Sequence, residues 1–363
     1  MRFTSAVSDD LTAARLAAAV ARGDLATWPY DAAFAARASA PERILAEARS
    51  IVCLAVAYGD GATVPPRVRD DGGGGRISLY ARGEDYHGRM RALARVVARE
   101  IDAIAGAPAT LAGCDTLPLA ERAFAARAGL GWIGKHTNLI APELGSYVFL
   151  AEIVTTLDIG ADAPRATHCG ACTRCVDVCP TGALRGDYTM DVTRCISDLT
   201  QRRDAIPREL RPLVGTWIWG CDLCQEVCPP TRLARERRRL PPAAAESVDL
   251  RALLRLRSAE FERSFRPTAL GWRGATILRR NAAVALGNAL DRGAVPALVE
   301  ALGADPQPLV RGHVAWALGR IGSPAALAAL AARATSEPDA SAREEIAAAL
   351  AVYQGKPPRP FRR

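Results

Sequence analysis

Eight of the chain's ten cysteines fall between Cys169 and Cys228. Four of them run as Cys169-x2-Cys172-x2-Cys175-x3-Cys179-Pro180. In this spacing three close thiolates hold one [4Fe-4S] cluster, while the fourth cysteine, followed by proline, reaches across to a second. An incomplete copy, Cys221-x2-Cys224-x3-Cys228-Pro229, supplies two close thiolates and a crossing one, and the isolated Cys195 completes it. The crossing rule assigns Cys169, Cys172, Cys175 and Cys228 to one cluster. Cys179, Cys195, Cys221 and Cys224 then belong to the other. Paired CxxC units also bind zinc, but the doubled spacing with proline after both crossing cysteines favours clusters. Cys53 and Cys114 lie outside both motifs, and Cys53, inside an apolar run, reads as a small packed hydrophobe.

Two clusters with all eight ligand positions filled move electrons but do no substrate chemistry, so a further reaction centre is expected in residues 1–160 or on a partner. The chain has no GxGxxG in a strand-turn-helix setting and no phosphate-binding P-loop; Gly72–Gly75 is only a weak lookalike. The DxHxxG sequence that binds cobalamin through a histidine is also absent.

The elements around these motifs follow from periodicity. Ile51–Ala57 and Val148–Val154 are short apolar runs rich in β-branched residues and read as strands. Between them Met90, Leu93, Val97, Ile101 and Ile104 recur at helical spacing, with Gly106 as the stop. Residues 61–75, with four consecutive glycines, read as a loop. A Pro- and Arg-rich linker is expected over about 229–248. Beyond it Ala282–Leu286, Val314–Leu318 and Ile346–Leu350 repeat every 32 residues, with Arg279, Arg311 and Arg343 in register ahead of them. That is the pattern of a HEAT-like solenoid, in which the repeated arginines either face phosphates or, as the favoured reading, bond neighbouring repeats.

At 363 residues the chain has room for two to three domains. Its apolar content of 49% and charged content of 24% are those of a globular protein. No apolar run approaches the length of a membrane span, and the first residues carry no export signal, so a cytoplasmic location is expected. There ten cysteines are unlikely disulfides. The net charge of +8 is localised: residues 229–280 hold thirteen Arg against five acidic residues, an excess that equals the whole net charge. Such a stretch suggests a polyanionic partner, set against the chain's general preference for Arg, since Lys135 and Lys356 are its only lysines.

Several linked segments resemble the epoxyqueuosine reductases: Ile77–His87, Asp115-Thr116 leading to Glu121-Arg122, Ala128–Lys135, Asn138–Ile140, Cys169–Pro180, Arg194–Ser197 and Gly220–Asp222. The resemblance spans about residues 40–230, with the HEAT-like tail in its expected place, whereas the opening residues match the family's first segment poorly. It implies an α+β protein with a cobalamin-binding α/β catalytic domain over 1–160, a double [4Fe-4S] ferredoxin-like domain over 161–230, and a basic linker with C-terminal α-helical HEAT-like repeats over 231–363. The implied activity is reduction of epoxyqueuosine to queuosine at the tRNA wobble position. The epoxide oxygen leaves as water, and electrons pass through two [4Fe-4S] clusters to a base-off cobalamin with no axial His. The implied partners are the tRNA anticodon stem-loop and an unidentified electron donor, with no membrane; a monomer is expected.

Opening an epoxide leaves an alkoxide, so an acid must sit beside the reducing centre. The family's proton donor falls on Asp115, which the residues alone would make, with Thr116, a cap for a helix starting near Pro118. Work near neutral pH would require a carboxyl raised by burial. Tyr86 and His87 are expected as hydrogen-bonding groups near the epoxide or the acid. Lys135, Asn138 and Ser197 are expected in the cofactor pocket, Lys135 as a compact ammonium against a cobalamin phosphate or the tRNA backbone, or simply as a surface lysine. Tyr188, Trp217 and Trp219 would stack on a base or, more in keeping with their position, shield a cluster. An iron-sulfur electron carrier with a HEAT-like docking domain is the alternative from another class. A dehalogenase relative acting on a small organohalide is a third.

Overall fold

The computed structural model describes residues 1–59, 74–239 and 247–353. The glycine-rich loop and the residues after Pro357 that the sequence singles out fall largely or wholly outside them. The chain divides into two compact units, one of residues 1–62, 85–193 and 222–241, the other of residues 63–84, 194–221 and 242–363.

The first unit is built on a four-stranded antiparallel sheet in the order Arg2–Ser5, Ser50–Ala57, Val148–Thr155, Thr110–Gly113. Both apolar runs are therefore strands, adjacent and central. The poorly matched opening residues are the edge strand beside them. Alternation sends Val52, Leu54, Ala151 and Ile153 to one face, where Met90, Ala94, Ala98 and Ile101 of helix Tyr86–Ala105 pack. Ile51, Cys53 and Val154 go to the other, against Phe124 and Ala125 of helix Glu121–Arg127. Truncating the fully buried Phe124 to Ala would cost about 3–5 kcal/mol.

The long helix ends at Gly106, whose φ of 71° is the left-handed stop expected there. Its buried stripe differs from the expected one, because Leu93 and Ile104 are exposed and Ala94 and Ala98 face the sheet. Alanines let the helix axis lie close to the strands. The linker expected from residue 229 begins instead as helix Pro229–Arg237, which Cys228 precedes as N-cap. Proline at the first helical positions starts a helix rather than breaking it.

In the second unit a three-stranded sheet in the order Trp217–Trp219, Gly75–Ile77, Ser247–Val248 precedes the solenoid helices Ala275–Ala289, Val295–Ala304, Pro308–Ile321, Pro324–Ala334 and Ala340–Tyr353. The 32-residue period is the repeat of helices 275–289, 308–321 and 340–353. Gly287 and Gly319, also 32 apart, mark their closest approaches: a Cβ on Gly287 would lie 2.9 Å from Ala317 Cα, and one on Gly319 3.0 Å from Ala349 Cα.

The repeated arginines run along this stack as a ladder. Arg279 pairs with Asp305, Arg311 with Glu337 and with the Asp305 carbonyl, and Arg343 donates to the Glu337 and Pro338 carbonyls. Bonding between repeats, not phosphate contact, is their role in the fold. Part of the basic stretch is likewise engaged within its unit, with Arg251 on Asp291 and Arg255 on Glu300.

Candidate active site and cluster motifs

The first helix of the solenoid orders the segment that carries Cys195 and Cys221. Arg280 is fully buried and donates to the carbonyls of Leu199, Arg202 and Asp204. Asn281 donates to Thr200 and Ile218, and Asn288 to Arg211 and Gly215. Buried carbonyls need such partners. Trp217 and Trp219 are buried in this unit, with Trp219 Nε1 donating to the Tyr80 hydroxyl at 2.9 Å. Ser197 lies in helix Ile196–Gln201, its Oγ accepting from Gln201 Nε2.

In the first unit Cys175 and Cys228 are buried, and burial raises both thiols. Further influences include Cys228 and Cys169 on Cys175, and Cys169 and Cys172 on Cys228, so Cys228 lies within electrostatic reach of the other three sulfurs. They are the four that the spacing assigns to one cluster. Trp132 and Ile140 pack with Cys228 and Cys169, and the buried Trp132 Nε1 has no protein acceptor. An N–H beside thiolates suits a cluster whose sulfurs accept hydrogen bonds. Cys179 and Cys224 belong to the same unit, and Cys195 and Cys221 to the other. Among the described residues, no three His, Cys, Asp or Glu side chains close up as they would on a single ion.

Lys135 Nζ donates to the Gly170 carbonyl at 2.8 Å, which ties its turn to the loop between Cys169 and Cys172. Asn138 lies four residues after Gly134 in a turn closed by a Gly134 N–H bond to the Asn138 carbonyl. Its side-chain oxygen accepts a long 3.4 Å bond from Arg122.

The candidate acid sits where strand Thr110–Gly113 leaves the sheet. Asp115 has a φ of 53°, a left-handed conformation that Asp tolerates better than most residues. The helix after it begins only at Glu121, with Ala120 at its N-cap, so Asp115 and Thr116 do not cap it. Instead the Asp115 amide donates to Glu121 Oε1 at 2.6 Å. Tyr86 and His87 open the long helix, which Asp85 caps by accepting the His87 amide. The Tyr86 ring stacks on Phe149 of the central strand, with centroids 4.1 Å apart and planes at 4°, and its hydroxyl donates to Asp115 Oδ2. His87 Nδ1 meets Asp85 Oδ1 at 2.6 Å, which leaves Nε2 facing Asp115 Oδ2 at 3.8 Å. Asp115, Tyr86 and His87 therefore come together as expected.

Burial does not fall where the sequence places it. The Asp115 side chain is 49% exposed. The desolvated carboxyls are Glu121, which the sequence offers only as part of a family-like segment with no role of its own, and Glu152, which it does not mark. Glu152, 1% exposed, sits at the centre of strand Val148–Thr155, opposite Cys53 on one side and Gly113 on the other. Burial and the Glu121 charge hold its carboxyl well above the usual range. Glu121 is pushed up to about 8, first by burial and then by the charge of Asp115. Both Asp115 and Glu152 lie within electrostatic reach of its carboxyl. The available signal was a single acidic residue inside an otherwise apolar strand, VFLAEIVT. Tyr30 stands nearby, its phenol raised by burial and by the Asp115 charge.

Comparisons with known proteins agree with one another. Residues 38–116 match the family "Epoxyqueuosine reductase QueG, DUF1730", residues 168–231 a 4Fe-4S double cluster binding domain, and residues 274–351 HEAT repeats. The chain is 36% identical over 311 residues to the epoxyqueuosine reductase of Bacillus subtilis (strain 168), covering 84% of this chain and 80% of that one. It is similar to an epoxyqueuosine reductase solved with an epoxyqueuosine-modified tRNA-Tyr stem loop (TM-score 0.83, 33% identity, 98% of this chain and 94% of the other). It is also similar to the Bacillus subtilis enzyme solved with an aspartate's catalytic loop swung out of the active site (TM-score 0.84, 32% identity, 97% and 94%).

Proposed function

The chain belongs to the epoxyqueuosine reductase family, and from that premise we propose that Asp115 is the acid of its reaction, with Tyr86 and His87 holding it. The protein is an oxidoreductase that reduces epoxyqueuosine in tRNA. Its product is queuosine, its site the wobble position of the anticodon stem-loop, and the epoxide oxygen leaves as water.

The observation that carries this reading is the convergence on one exposed carboxyl. The Tyr86 hydroxyl and His87 Nε2 face Asp115 Oδ2, while Glu121 holds the backbone amide of the same residue. The ring stack on Phe149 fixes Tyr86, and Asp85 fixes His87 in the tautomer that carries its proton on Nδ1. An acid held this way can meet an alkoxide forming above it. The partly exposed rings of Tyr58, Phe149 and Tyr86, stacked in sequence beside it, offer an apolar wall for a large planar group.

Cys169, Cys172, Cys175 and Cys228 hold one [4Fe-4S] cluster. Cys179, Cys195, Cys221 and Cys224 are assigned to the second by spacing alone. Cobalamin is the remaining cofactor, and when bound it supplies the strongly reducing centre that the clusters feed. Asn138, Lys135 and Ser197 are the contacts carried over for it from the resemblance: the Asn138 amide nitrogen carries no hydrogen bond among the described residues, whereas Lys135 Nζ donates to the Gly170 carbonyl and Ser197 Oγ accepts from Gln201. The histidines have protein neighbours, His87 on Asp85, His136 on the Asn138 amide, His168 edge-on to Trp132 and His313 on the Ile206 amide.

The test is anaerobic purification, iron and corrinoid analysis, and assay on an epoxyqueuosine-bearing stem-loop with a chemical reductant. About eight irons per chain, corrinoid uptake and formation of queuosine are expected. Full iron content with neither corrinoid uptake nor turnover would contradict the reading.

A further inference from the structure

Converting an epoxide to an alkene and water takes two electrons and two protons, and both protons end on the same oxygen. One carboxyl carries one proton. If Asp115 delivers the first, its carboxylate must be reprotonated before the oxygen can leave. Beside Asp115 lie two carboxyls that the reaction as described does not use.

The chain of contacts is continuous. Glu121 Oε1 accepts the Asp115 amide at 2.6 Å. The Glu121 carboxyl also lies within electrostatic reach of the Asp115 carboxyl and of Glu152, each of which acts on its proton affinity. Glu152 is 1% exposed, its Oε1 has no hydrogen-bond partner among the described residues, and Glu121 is the strongest electrostatic influence on it after burial. Neither glutamate has an ion pair with Arg or Lys among the described residues. Glu152 is buried and Glu121 half-buried and desolvated beside it, with no ion-paired cation among the described residues, so ionisation of both is disfavoured and the neutral forms are held to higher pH.

We propose that Glu121 and Glu152 are the proton reserve of the site, positioning residues that hold the Asp115 loop by its amide and return a proton to Asp115 within each turnover. The inference rests on the reading of Asp115 as the acid. In the step, the Glu121 O–H bond breaks as the Asp115 O–H bond forms. Glu152 then passes its proton to Glu121 and is recharged from water between turnovers. The electrons are those of the established reduction, so no further oxidant or reductant is needed.

The arrangement makes the rate depend on pH in one direction. Glu121 must hold its proton, so kcat falls as pH climbs through about 8. The groups facing the pair are Asp115, Tyr30 and Arg122 on the open side and Cys53 and Cys114 on the flanking strands, whose thiols burial raises. Arg127 lies near Cys53 and Arg91 near Cys114.

The experiment measures kcat and KM of the holoenzyme on an epoxyqueuosine stem-loop across pH. Glu121→Gln keeps an oxygen for the Asp115 amide but has no proton to give. A fall in kcat of about tenfold or more is expected, with KM little changed and the decline near pH 8 gone. Glu121→Asp should restore part of both, and Glu152→Gln should lower kcat less. Infrared spectra at neutral pH should show neutral-carboxyl carbonyl bands that disappear in each Gln variant, a readout independent of turnover and of Glu121→Gln folding well enough to assay. Wild-type kcat and an unchanged alkaline decline in Glu121→Gln would overturn the proposal, as would absence of the bands. If Asp115→Asn also turns over normally, the reading beneath has failed. If Asp115→Asn is inactive while Glu121→Gln is normal, the reserve alone has failed.

Discussion

Glu152 and Glu337 are both almost completely buried, 1% and 3% exposed, yet their surroundings push them in opposite directions. Glu337 lies in the solenoid ladder between Arg311 and Arg333, and the Arg311 hydrogen bond does most to hold its carboxyl down to about 2. Glu152 has no ion-paired cation among the described residues, and burial and the neighbouring carboxyls hold it up. The first arrangement is that of a charge placed to join repeats. The second is that of a proton placed to be given away. Burial alone separates neither role; the partner does.

The largest effect on stability should come from breaking the satisfied pair. Glu337→Ala leaves the Arg311 guanidinium, 7% exposed, without its carboxylate, and should cost about 3–5 kcal/mol, read as a lower denaturation midpoint with turnover per folded molecule retained. A smaller effect of opposite sign is expected at the other carboxyls. Because the folded-state pKa values of Glu121 and Glu152 are raised, their contribution is full below about pH 4.5 and is lost as pH rises toward 8. Glu337, depressed, contributes above that range and loses its contribution as pH falls toward 2. Glu152→Gln should therefore flatten the neutral-to-alkaline decline in stability while leaving the acid limb intact, as measured by denaturant titration across pH. If it steepened that decline, the comparison would fail. Smallest is Arg343→Ala at the end of the ladder, which removes two carbonyl contacts and should cost about 1 kcal/mol with no change in the pH profile.

Much of this frame was legible in the sequence, and what was not has definite physical causes. The cysteine spacing carried the cluster domain because metal ligation fixes intervals along the chain. The two apolar runs and Gly106 carried the core of the catalytic sheet and the end of its helix. The 32-residue period carried the solenoid and the register of its arginines, but not their acidic partners. Helix Pro229–Arg237 was hidden because composition reads Pro and Arg as linker, whereas position decides whether Pro starts a helix. Asp115 became an acid only through family resemblance; on its own residues it looked like a cap, and the structure shows a cap for nothing. Glu121 and Glu152 are 31 residues apart and meet only because the pairing of Gly113 with Glu152 brings the end of one strand over the middle of another. No spacing rule encodes that meeting.

The most direct test of the account is single-turnover reduction of an epoxyqueuosine stem-loop by Asp115→Asn holoenzyme, with cluster and corrinoid content matched to the wild type. The account predicts RNA binding close to that of the wild type and a rate lower by about 10²–10⁴-fold. Reduction at the wild-type rate would contradict it.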